Sequence, residues 1–209
     1  MSELLETEYT RRRERLLRSR AALLVIDIQE RLVPAMPDEV RARVIKNTEV
    51  LIAAAGRLGL PIVVSQQYPR GLGPTVPQIA SALAAAEDTH GAQVYRFDKV
   101  EFSAAASPAF QALPPAEKIG ALMTREQWIL CGMETHVCVY QTARDLVGPA
   151  CAVHVVADAV CSRTKANWRL GLELCRGSGA QVTSTEVVVF DLLERAGTDE
   201  FKEISRLIK

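Results

Sequence analysis

The sequence predicts a three-layer α/β/α sandwich with a central, mostly parallel six-stranded sheet. Three observations lead there: short apolar runs typical of strands, longer amphipathic runs typical of helices, and their regular alternation along the 209 residues. Strands covered on both faces have near-continuous apolar sequence, as these runs do. In such sheets, ligands bind beyond the carboxyl ends of the strands. The residues that follow each strand are therefore the first candidates for a functional site.

The first strand and the first helix have the clearest signals. AALLVIDI, at residues 21–28, is apolar apart from its aspartate. At residues 38–59, apolar side chains recur at helical spacing between Pro37 and Gly59, which are typical start and stop signals of a helix. The first repeat of the fold is therefore a buried strand followed by a long amphipathic helix.

The rest of the chain repeats this alternation. Further apolar runs predict strands at residues 60–66, 93–97, 125–132, 151–158 and 180–185. Helical patterns predict helices at residues 76–86, 103–112, 135–147, 164–177 and 185–195. The repeated order of strand and helix favours parallel strands with helices on both faces of the sheet.

Composition limits the classes of protein and partner. With 48% hydrophobic residues, the chain can form one domain with a sizeable core, which we place at residues 20–209. Residues 1–19 are predicted to be a helical extension, because TEYTRRRERLLRS is amphipathic. The balance of 25 basic and 25 acidic side chains argues against nucleic acid and against an anionic membrane as partners.

No targeting or membrane-spanning segment is predicted. No apolar run approaches the roughly 18 residues of a membrane-spanning helix. The charged start of the chain, MSELLETEYTRRRERLLRSR, lacks the apolar centre of a signal peptide. We therefore expect a cytoplasmic protein, in which the five cysteines are reduced thiols.

The cysteines and histidines do not form a recognisable metal motif. Cys131 and Cys138, in CGMETHVC, do not have the spacing of zinc ligands. His90, His136 and His154 are scattered, so a histidine site would require the fold to gather them. We expect no metal ion and no other cofactor.

Two charged residues follow predicted strands. Asp27 closes the first apolar run, where a buried carboxylate needs a partner or a place at the mouth of a site. A helix cap or a buried salt bridge would explain it equally well. Lys99 follows the third strand and is either a surface charge or a partner for Asp27 and for a thiolate.

Cys138 has the sequence context of a nucleophile. Gly132 ends the fourth strand, and Thr135 is a good N-cap for the next helix, which puts Cys138 in its first turn. The free backbone N–H groups there lower a thiol pKa and bind an oxyanion. The alternative is a small apolar core residue, which we prefer for Cys131. His136 is two positions from Cys138 and does not share its helix face, which argues against a general base.

Five segments together resemble the isochorismatase-like cysteine hydrolase superfamily: LLVIDIQ, FDKVEFSA, CGMETHVCVYQTARDL, VHVVADAVCSR and VTSTEVVVFDLL. They occur in the family's order and extend through about residues 20–195. The resemblance implies a catalytic triad of Asp27 as general acid and base, Lys99 as the group that favours the thiolate, and Cys138 as nucleophile.

The resemblance also implies the geometry of the oxyanion site. Family members have a cis peptide before the nucleophile helix, which by position is the Met133–Glu134 bond. The backbone N–H groups there, with that of Cys138, would bind the oxyanion. Amidohydrolase members open a C–N bond through a thioester-type intermediate.

The loop after the second strand departs from one branch of the family. Nicotinamidases carry an aspartate and histidines there as metal ligands, whereas VSQQYPRGLGPT has neither residue type. This departure predicts the absence of a catalytic metal and favours the isochorismatase-domain-containing branch. By their positions after strand ends, the candidate substrate-binding residues are Tyr68, Leu72, Phe102 and Glu134.

The leading hypothesis is a metal-independent cysteine hydrolase of the C–N amidohydrolase type, which acts on a small amide, carbamoyl or related compound. The alternative is a non-catalytic or redox-sensing binding or scaffold protein of the same fold. A Rossmann-like sheet also suits nucleotides, but the glycine fingerprint is missing. We expect a homo-oligomer, since oligomers are common in the family.

Overall fold

A six-stranded sheet forms the centre of the molecule, in the order β3-β2-β1-β4-β5-β6. The strands are β1 Ala21–Ile26, β2 Ile62–Gln67, β3 Val94–Lys99, β4 Gln127–Met133, β5 Ala152–Cys161 and β6 Gln181–Thr183. Every neighbouring pair is parallel, which confirms the predicted sheet. The computed structural model describes residues 15–113 and 125–208.

Six helices of six residues or more surround the sheet in this part of the chain. They are α1 Asp38–Leu58, α2 Pro77–His90, α3 Tyr140–Leu146, α4 Lys165–Gly177, α5 Thr185–Leu193 and α6 Asp199–Ile204. Shorter helical segments occur at Val33–Ala35, Pro69–Leu72, Pro108–Gln111 and, with π-helical hydrogen bonding, at Thr135–Val139. None of the described helices has the length and apolar character needed to cross a bilayer.

The sheet is buried on both faces, which explains the near-continuous apolar sequence of its strands. In β1, Leu23 and Val25 pack on one side with α1, α2 and α5. Leu24 and Ile26 pack on the other side with α3 and α4. The three-layer α/β/α prediction is therefore confirmed.

The helix stop signals act as expected. α1 ends at Gly59, which has a left-handed backbone (φ 73°) and donates its N–H to the carbonyl oxygens of Ala55 and Gly56. α2 ends in the same way at Gly91, with φ 63°. Glycine adopts this conformation without the steric penalty of a Cβ atom. The end of α1 at Gly59 was predicted, whereas α2 continues beyond its predicted end at residue 86 to His90.

Two helix predictions need correction. The helix predicted at residues 103–112 shortens to Pro108–Gln111, because the Ala104 N–H bonds to the Thr142 hydroxyl and the preceding carbonyls face Lys99. The C-terminal helix α6 was not predicted. It is short, and its main signal is Thr198, whose hydroxyl accepts a hydrogen bond from the Phe201 N–H.

The N-terminal prediction is only partly within the described residues. Residues 15–17 have no regular secondary structure and residues 18–20 form a turn, rather than the predicted helix. Leu16 is buried in the main core, and its N–H bonds to the Asp191 carboxylate. Residues 1–14 of the predicted helical extension lie outside the described residues.

The strand order places a topological switch between β1 and β4. From β1 the chain adds β2 and β3 on one side, and from β4 it adds β5 and β6 on the other. Connections leave the two central strands toward opposite faces at such a switch, which opens a crevice at their carboxyl ends. Asp27 follows β1 and Glu134 follows β4, so both border this crevice.

Candidate active site

Asp27 lies directly after β1, at the carboxyl end of the central strand. Its backbone is left-handed (φ 53°), and its side chain is fully buried. The Ser65 hydroxyl donates to Asp27 Oδ1 at 2.7 Å, because the β1–β2 register places Ser65 opposite Ile26. Asp27 therefore forms part of a buried polar group at the strand ends rather than a helix cap.

Lys99 is the last residue of β3 and reaches across β2 toward β1. Its Nζ lies 2.7 Å from Asp27 Oδ2, and both side chains are fully buried. It also donates to Gln67 Oε1 at 2.7 Å and to the carbonyl oxygens of Glu101 and Phe102 at 3.3 Å. Such a set of partners offsets the cost of removing an ammonium from water. Lys99 is therefore a buried partner of Asp27 and not a surface charge.

Two glutamines support this ion pair, and sequence reasoning missed both. Gln29 is fully buried and donates from Nε2 to the carbonyl oxygens of Gln67 and Gly73 at 3.1 and 2.6 Å. Its Oε1 accepts from the Gln67 N–H at 2.7 Å. Gln29 thus holds the end of β2, whose Gln67 side chain contacts Lys99. The sequence signal for Gln29 was its position two residues after Asp27, because a glutamine is unusual next to an apolar strand.

The thiol of Cys138 lies in the π-helical segment Thr135–Val139, which starts the helix after β4. The predicted N-cap is wrong: the N-cap is Glu134, and Thr135 is the first helical residue. The Thr135 hydroxyl is buried without a hydrogen-bond partner among the described residues. A capping hydroxyl must lie outside the helix, and the extended Glu134 occupies that place.

Two glycines bring this segment close to the sheet and to α4. A Cβ atom at Gly132 would lie 2.0 Å from the Ile26 carbonyl oxygen, so only glycine allows β4 to approach β1 here. A Cβ at Gly171 in α4 would lie 2.7 Å from the His136 nitrogen. Close packing on both sides therefore positions Cys138.

The peptide bond between Met133 and Glu134 is cis, at the position that the resemblance implies. The Glu134 carbonyl oxygen accepts hydrogen bonds from the N–H groups of Val137 and Val139, on either side of Cys138. The Glu134 side chain is nearly buried, and its Oε2 accepts from the Arg163 N–H at 2.9 Å and from Arg163 Nε at 3.2 Å. The turn is thus anchored to the loop after β5.

The electrostatics of Cys138 differ from the expected low pKa. Burial raises the pKa of the Cys138 thiol to about 12, and the neighbouring Asp27 carboxylate raises it further, while Lys99 opposes the shift. Only 6% of the residue is exposed. Desolvation of the Cys138 thiol thus outweighs the charge of Lys99.

His136, Cys131 and Cys175 contact other parts of the molecule. His136 Nδ1 is 3.0 Å from the Ser162 hydroxyl, at the end of β5, as expected for a residue on another helix face. Cys131 and Cys175 are fully buried in the core, and burial raises the pKa of each thiol to about 12. The core interpretation of Cys131 fits the structure.

A family model described as Isochorismatase domain matches residues 21–187. This chain belongs to the isochorismatase family. The match includes all three residues of the buried group, Asp27, Lys99 and Cys138.

Relatives extend the similarity to nearly the whole chain. The secreted isochorismatase effector Isc1 of Phytophthora sojae is 40% identical over 205 residues, which cover 96% of this chain and 90% of that protein. Isochorismatase domain-containing protein 2 of Bos taurus is 33% identical, with coverage of 93% and 86%. The solved structure of MAR1 ribonuclease from Caenorhabditis elegans superposes with a TM-score of 0.78 at 33% identity and covers 93% of this chain and 92% of that one.

The nicotinamidase branch of the isochorismatase family binds metal in the loop after β2, and here the two glutamines that end β2 bond to protein groups. Gln66 Oε1 accepts from the Thr75 N–H and hydroxyl, and Gln67 Oε1 accepts from Lys99. Within residues 15–113 and 125–208, no cluster of three or more histidine, cysteine, aspartate or glutamate side chains has an arrangement suited to a metal ion.

The predicted substrate-binding residues differ in their positions. Tyr68 and Phe102 are more than half exposed, and Tyr68, with a left-handed backbone (φ 38°), lines an open cavity of about 470 Å³ that also borders Lys99. Leu72 is half-buried in the one-turn helix, and its carbonyl oxygen accepts from the Arg31 N–H. Glu134 is paired with Arg163 next to the segment Thr135–Val139. Their part in substrate binding stays a prediction.

Proposed function

We propose that this protein is a cysteine hydrolase that acts, without a metal ion, on a small amide, carbamoyl or related substrate. One observation carries the proposal. The Asp27–Lys99 ion pair, at 2.7 Å and fully buried, lies beside the Cys138 thiol at the carboxyl ends of the strands. A buried ion pair is weak as a stabilising device, so its place beside a thiol favours a catalytic use.

The first half of the reaction forms a thioester. Asp27 accepts the proton of the Cys138 thiol as the sulfur attacks the carbonyl carbon, which forms an S–C bond and an oxyanion. Backbone N–H groups of the cis-peptide turn, Met133 to Glu134, and of Cys138 bind the oxyanion. When the intermediate collapses, the C–N bond breaks, and the protonated Asp27 gives its proton to the departing nitrogen.

The second half releases the product. A water molecule attacks the thioester carbon while Asp27 accepts its proton, and the C–S bond then breaks. The acid leaves, and the proton on Asp27 returns to the Cys138 sulfur. No net proton is stored on the enzyme, so one carboxylate serves as base and acid in turn.

Lys99 stabilises the anionic forms of this cycle. Its ammonium lowers the pKa of the Cys138 thiol against the effects of burial and of Asp27. A thiolate that forms during attack is therefore partly neutralised. The amide oxygen of Gln67 and two backbone carbonyls fix the ammonium in place.

The redox-sensing alternative has less support. Sensor cysteines are exposed and have a low pKa, whereas burial raises the pKa of the Cys138 thiol to about 12. Iodoacetamide labelling of the free protein should accordingly be slow at pH 7 and rise without a plateau through pH 9. A plateau near pH 7, with peroxide modification and no turnover, would favour the sensor.

We expect no cofactor, a small-molecule substrate, a cytoplasmic location and a homo-oligomer. Four half-exposed apolar side chains on α4 and α5 are suited to a subunit interface: Leu170, Leu174, Val187 and Phe190.

The names of two similar proteins suggest other properties: the Phytophthora relative is named as secreted, and the Caenorhabditis neighbour as a ribonuclease. The balanced charge of this chain and its buried reactive group favour a small molecule over RNA.

The test is a panel of small amides, carbamoyl compounds, esters and RNA under reducing conditions. Turnover of a small substrate should disappear in Cys138→Ala and persist in Cys131→Ala, which removes a core thiol of the same strand-turn region. Circular dichroism checks that both variants fold. Turnover that survives Cys138→Ala, or cleavage of RNA alone, would overturn the proposal.

A further inference from the structure

A second cleft opens at the carboxyl end of β5, between the first turns of α1 and α4. It has a volume of about 350 Å³ and is lined by Pro37, Val40, Arg43, Ser162, Lys165 and Trp168. This volume falls at the small end of the range of about 300–1,000 Å³ that is typical of ligand pockets. None of the lining residues belongs to the triad.

One wall of the cleft is apolar and held in place. Pro37 and Val40 come from the start of α1, and Trp168 comes from α4. The Trp168 ring is half-buried, and its indole N–H donates to the Ala157 carbonyl oxygen at 3.2 Å. A fixed aromatic face opposite aliphatic groups is suited to a flat or compact apolar ligand.

The charges at the cleft all have one sign. Arg43 and Lys165 line it, and no carboxylate is among the lining side chains. Neither cation takes part in an ion pair with another described residue. Of the acids nearby, Asp38 pairs with Arg41 and Glu134 with Arg163, while Glu39, one helical turn before Arg43, is exposed and does not line the cleft. Two cations that line one cleft and make no ion pair with a described residue create a local field that attracts an anion.

The backbone and one polar side chain add to this field. α4, which has 13 residues, begins at Lys165, so the positive end of its dipole faces the cleft. Ser162 is buried, with only 3% of its surface exposed, and its hydroxyl lies 3.0 Å from His136 Nδ1. The cleft thus has a fixed polar floor as well as cationic and apolar walls.

We propose that this cleft binds a small organic monocarboxylate with an apolar body. Arg43 and Lys165 pair with the carboxylate, while Pro37, Val40 and Trp168 contact the ring or chain that carries it. The inference goes beyond the proposed hydrolase function, because it requires no chemistry at Cys138. Binding at this cleft is therefore measurable whether or not a substrate of the hydrolase is known.

The two tryptophans of the chain allow a direct test with benzoate as the probe. Trp168 lines this cleft, whereas Trp128 is buried and borders a different cavity, near Phe110 and Arg125. Benzoate should change the fluorescence of the wild-type protein saturably, and the change should remain in Trp128→Phe and disappear in Trp168→Phe. Isothermal titration calorimetry of the wild-type protein provides a readout that does not depend on either variant.

The charge requirement is tested with matched variants and a neutral probe. The double variant Arg43→Ala, Lys165→Ala should weaken benzoate binding at least about tenfold, a loss of two charge-assisted contacts. Arg176→Ala, at the other end of α4, removes a cation outside the cleft and should leave binding unchanged. Benzyl alcohol, which has the ring but no charge, should bind at least about tenfold more weakly.

Three results would overturn the proposal. One is equal binding of benzoate and benzyl alcohol, and another is unchanged benzoate binding in the double variant. The third is loss of benzoate binding in Cys138→Ala, which would place the anion at the triad instead. The first two concern only the cleft, so neither bears on the proposed hydrolase.

Discussion

At the level of single residues, the site depends on the protein groups that replace water around the buried Asp27 and Lys99. Each charge has lost its water and gained protein partners: Ser65 for the carboxylate, and Gln67 with two carbonyls for the ammonium. Because such a group is stable only when every partner is present, removal of one contact should affect both charges. The neighbouring glutamines make this testable.

Gln67→Ala should lower kcat of the hydrolase at least about tenfold, because a hydrogen bond to a charged group contributes roughly 1.5–3 kcal/mol. Gln66→Ala is the matched control, since its side chain bonds Asp98 and Thr75 rather than Lys99. Steady-state kinetics and thermal unfolding of both variants separate a loss of positioning from a loss of folding. Equal kcat in the two variants would count against a positioning role for Gln67.

His154 gives the fold a pH dependence that is separate from the active site. Burial lowers the pKa of His154 from 6.5 to about 4, although the Asp191 charge opposes the shift. Between pH 6.5 and pH 4 the unfolded chain binds a proton that the native state does not. The free energy of unfolding should therefore fall by up to about 3 kcal/mol across this window.

Denaturant unfolding at pH 7 and pH 5 measures this effect. The loss should be present in the wild-type protein and clearly smaller in His154→Leu, which has no group to titrate. His90→Leu is the control, because His90 lies near the surface of α2 beside Glu203. An equal loss in the wild-type protein and His154→Leu would assign the acid sensitivity to other groups.

At the level of elements, the segment that carries Cys138 is set by its neighbours. The sequence predicted a helix from Thr135 but not its π-helical first turn, against which α4 packs closely. Gly171 permits this approach, since its missing Cβ would lie 2.7 Å from the His136 nitrogen. The same helix contains Gly177, where a Cβ would meet open space.

Gly171→Ala should destabilise the protein by roughly 1–3 kcal/mol and lower its activity, because the added methyl group pushes α4 away from the nucleophile segment. Gly177→Ala should be neutral or stabilising by up to about 1 kcal/mol, since alanine favours helix at an open position. Denaturant unfolding and turnover are measured for both. Equal stability of the two variants would contradict the packing that we describe.

Element boundaries show where sequence reasoning ends. The strands were predicted because burial on both faces gives them continuous apolar runs, and the end of α1 because Gly59 stops the helix. The predicted end of α2, at residue 86, was four residues short of His90. The helix predicted at 103–112 failed because tertiary contacts with Lys99 and Thr142 outweigh its apolar pattern. The local apolar pattern of a sequence predicts which residues are buried. It does not predict which residue, distant in sequence, forms a hydrogen bond with a given backbone group.

At the level of the whole molecule, the topology gathers residues that are far apart in the chain. Asp27, Lys99 and Cys138 follow three different strands, and the sheet order brings those strand ends to one crevice. This gathering could be anticipated from sequence, because parallel strands share one carboxyl edge. The contacts of Ser65 and Gln29 could not be anticipated from sequence, because they depend on strand register and on the path of the loop to Gly73.

The central claim is that Cys138 attacks the substrate while Asp27 moves the proton, and an acyl-enzyme intermediate tests it most directly. The protein is mixed with an activated ester or a substrate from the panel, quenched in acid, digested and mapped by mass spectrometry. We predict the acyl mass on Cys138 and not on Cys131, with deacylation slowed in Asp27→Asn. Turnover with no acyl group on Cys138 at any time point, or an equal yield on Cys131, would contradict the account.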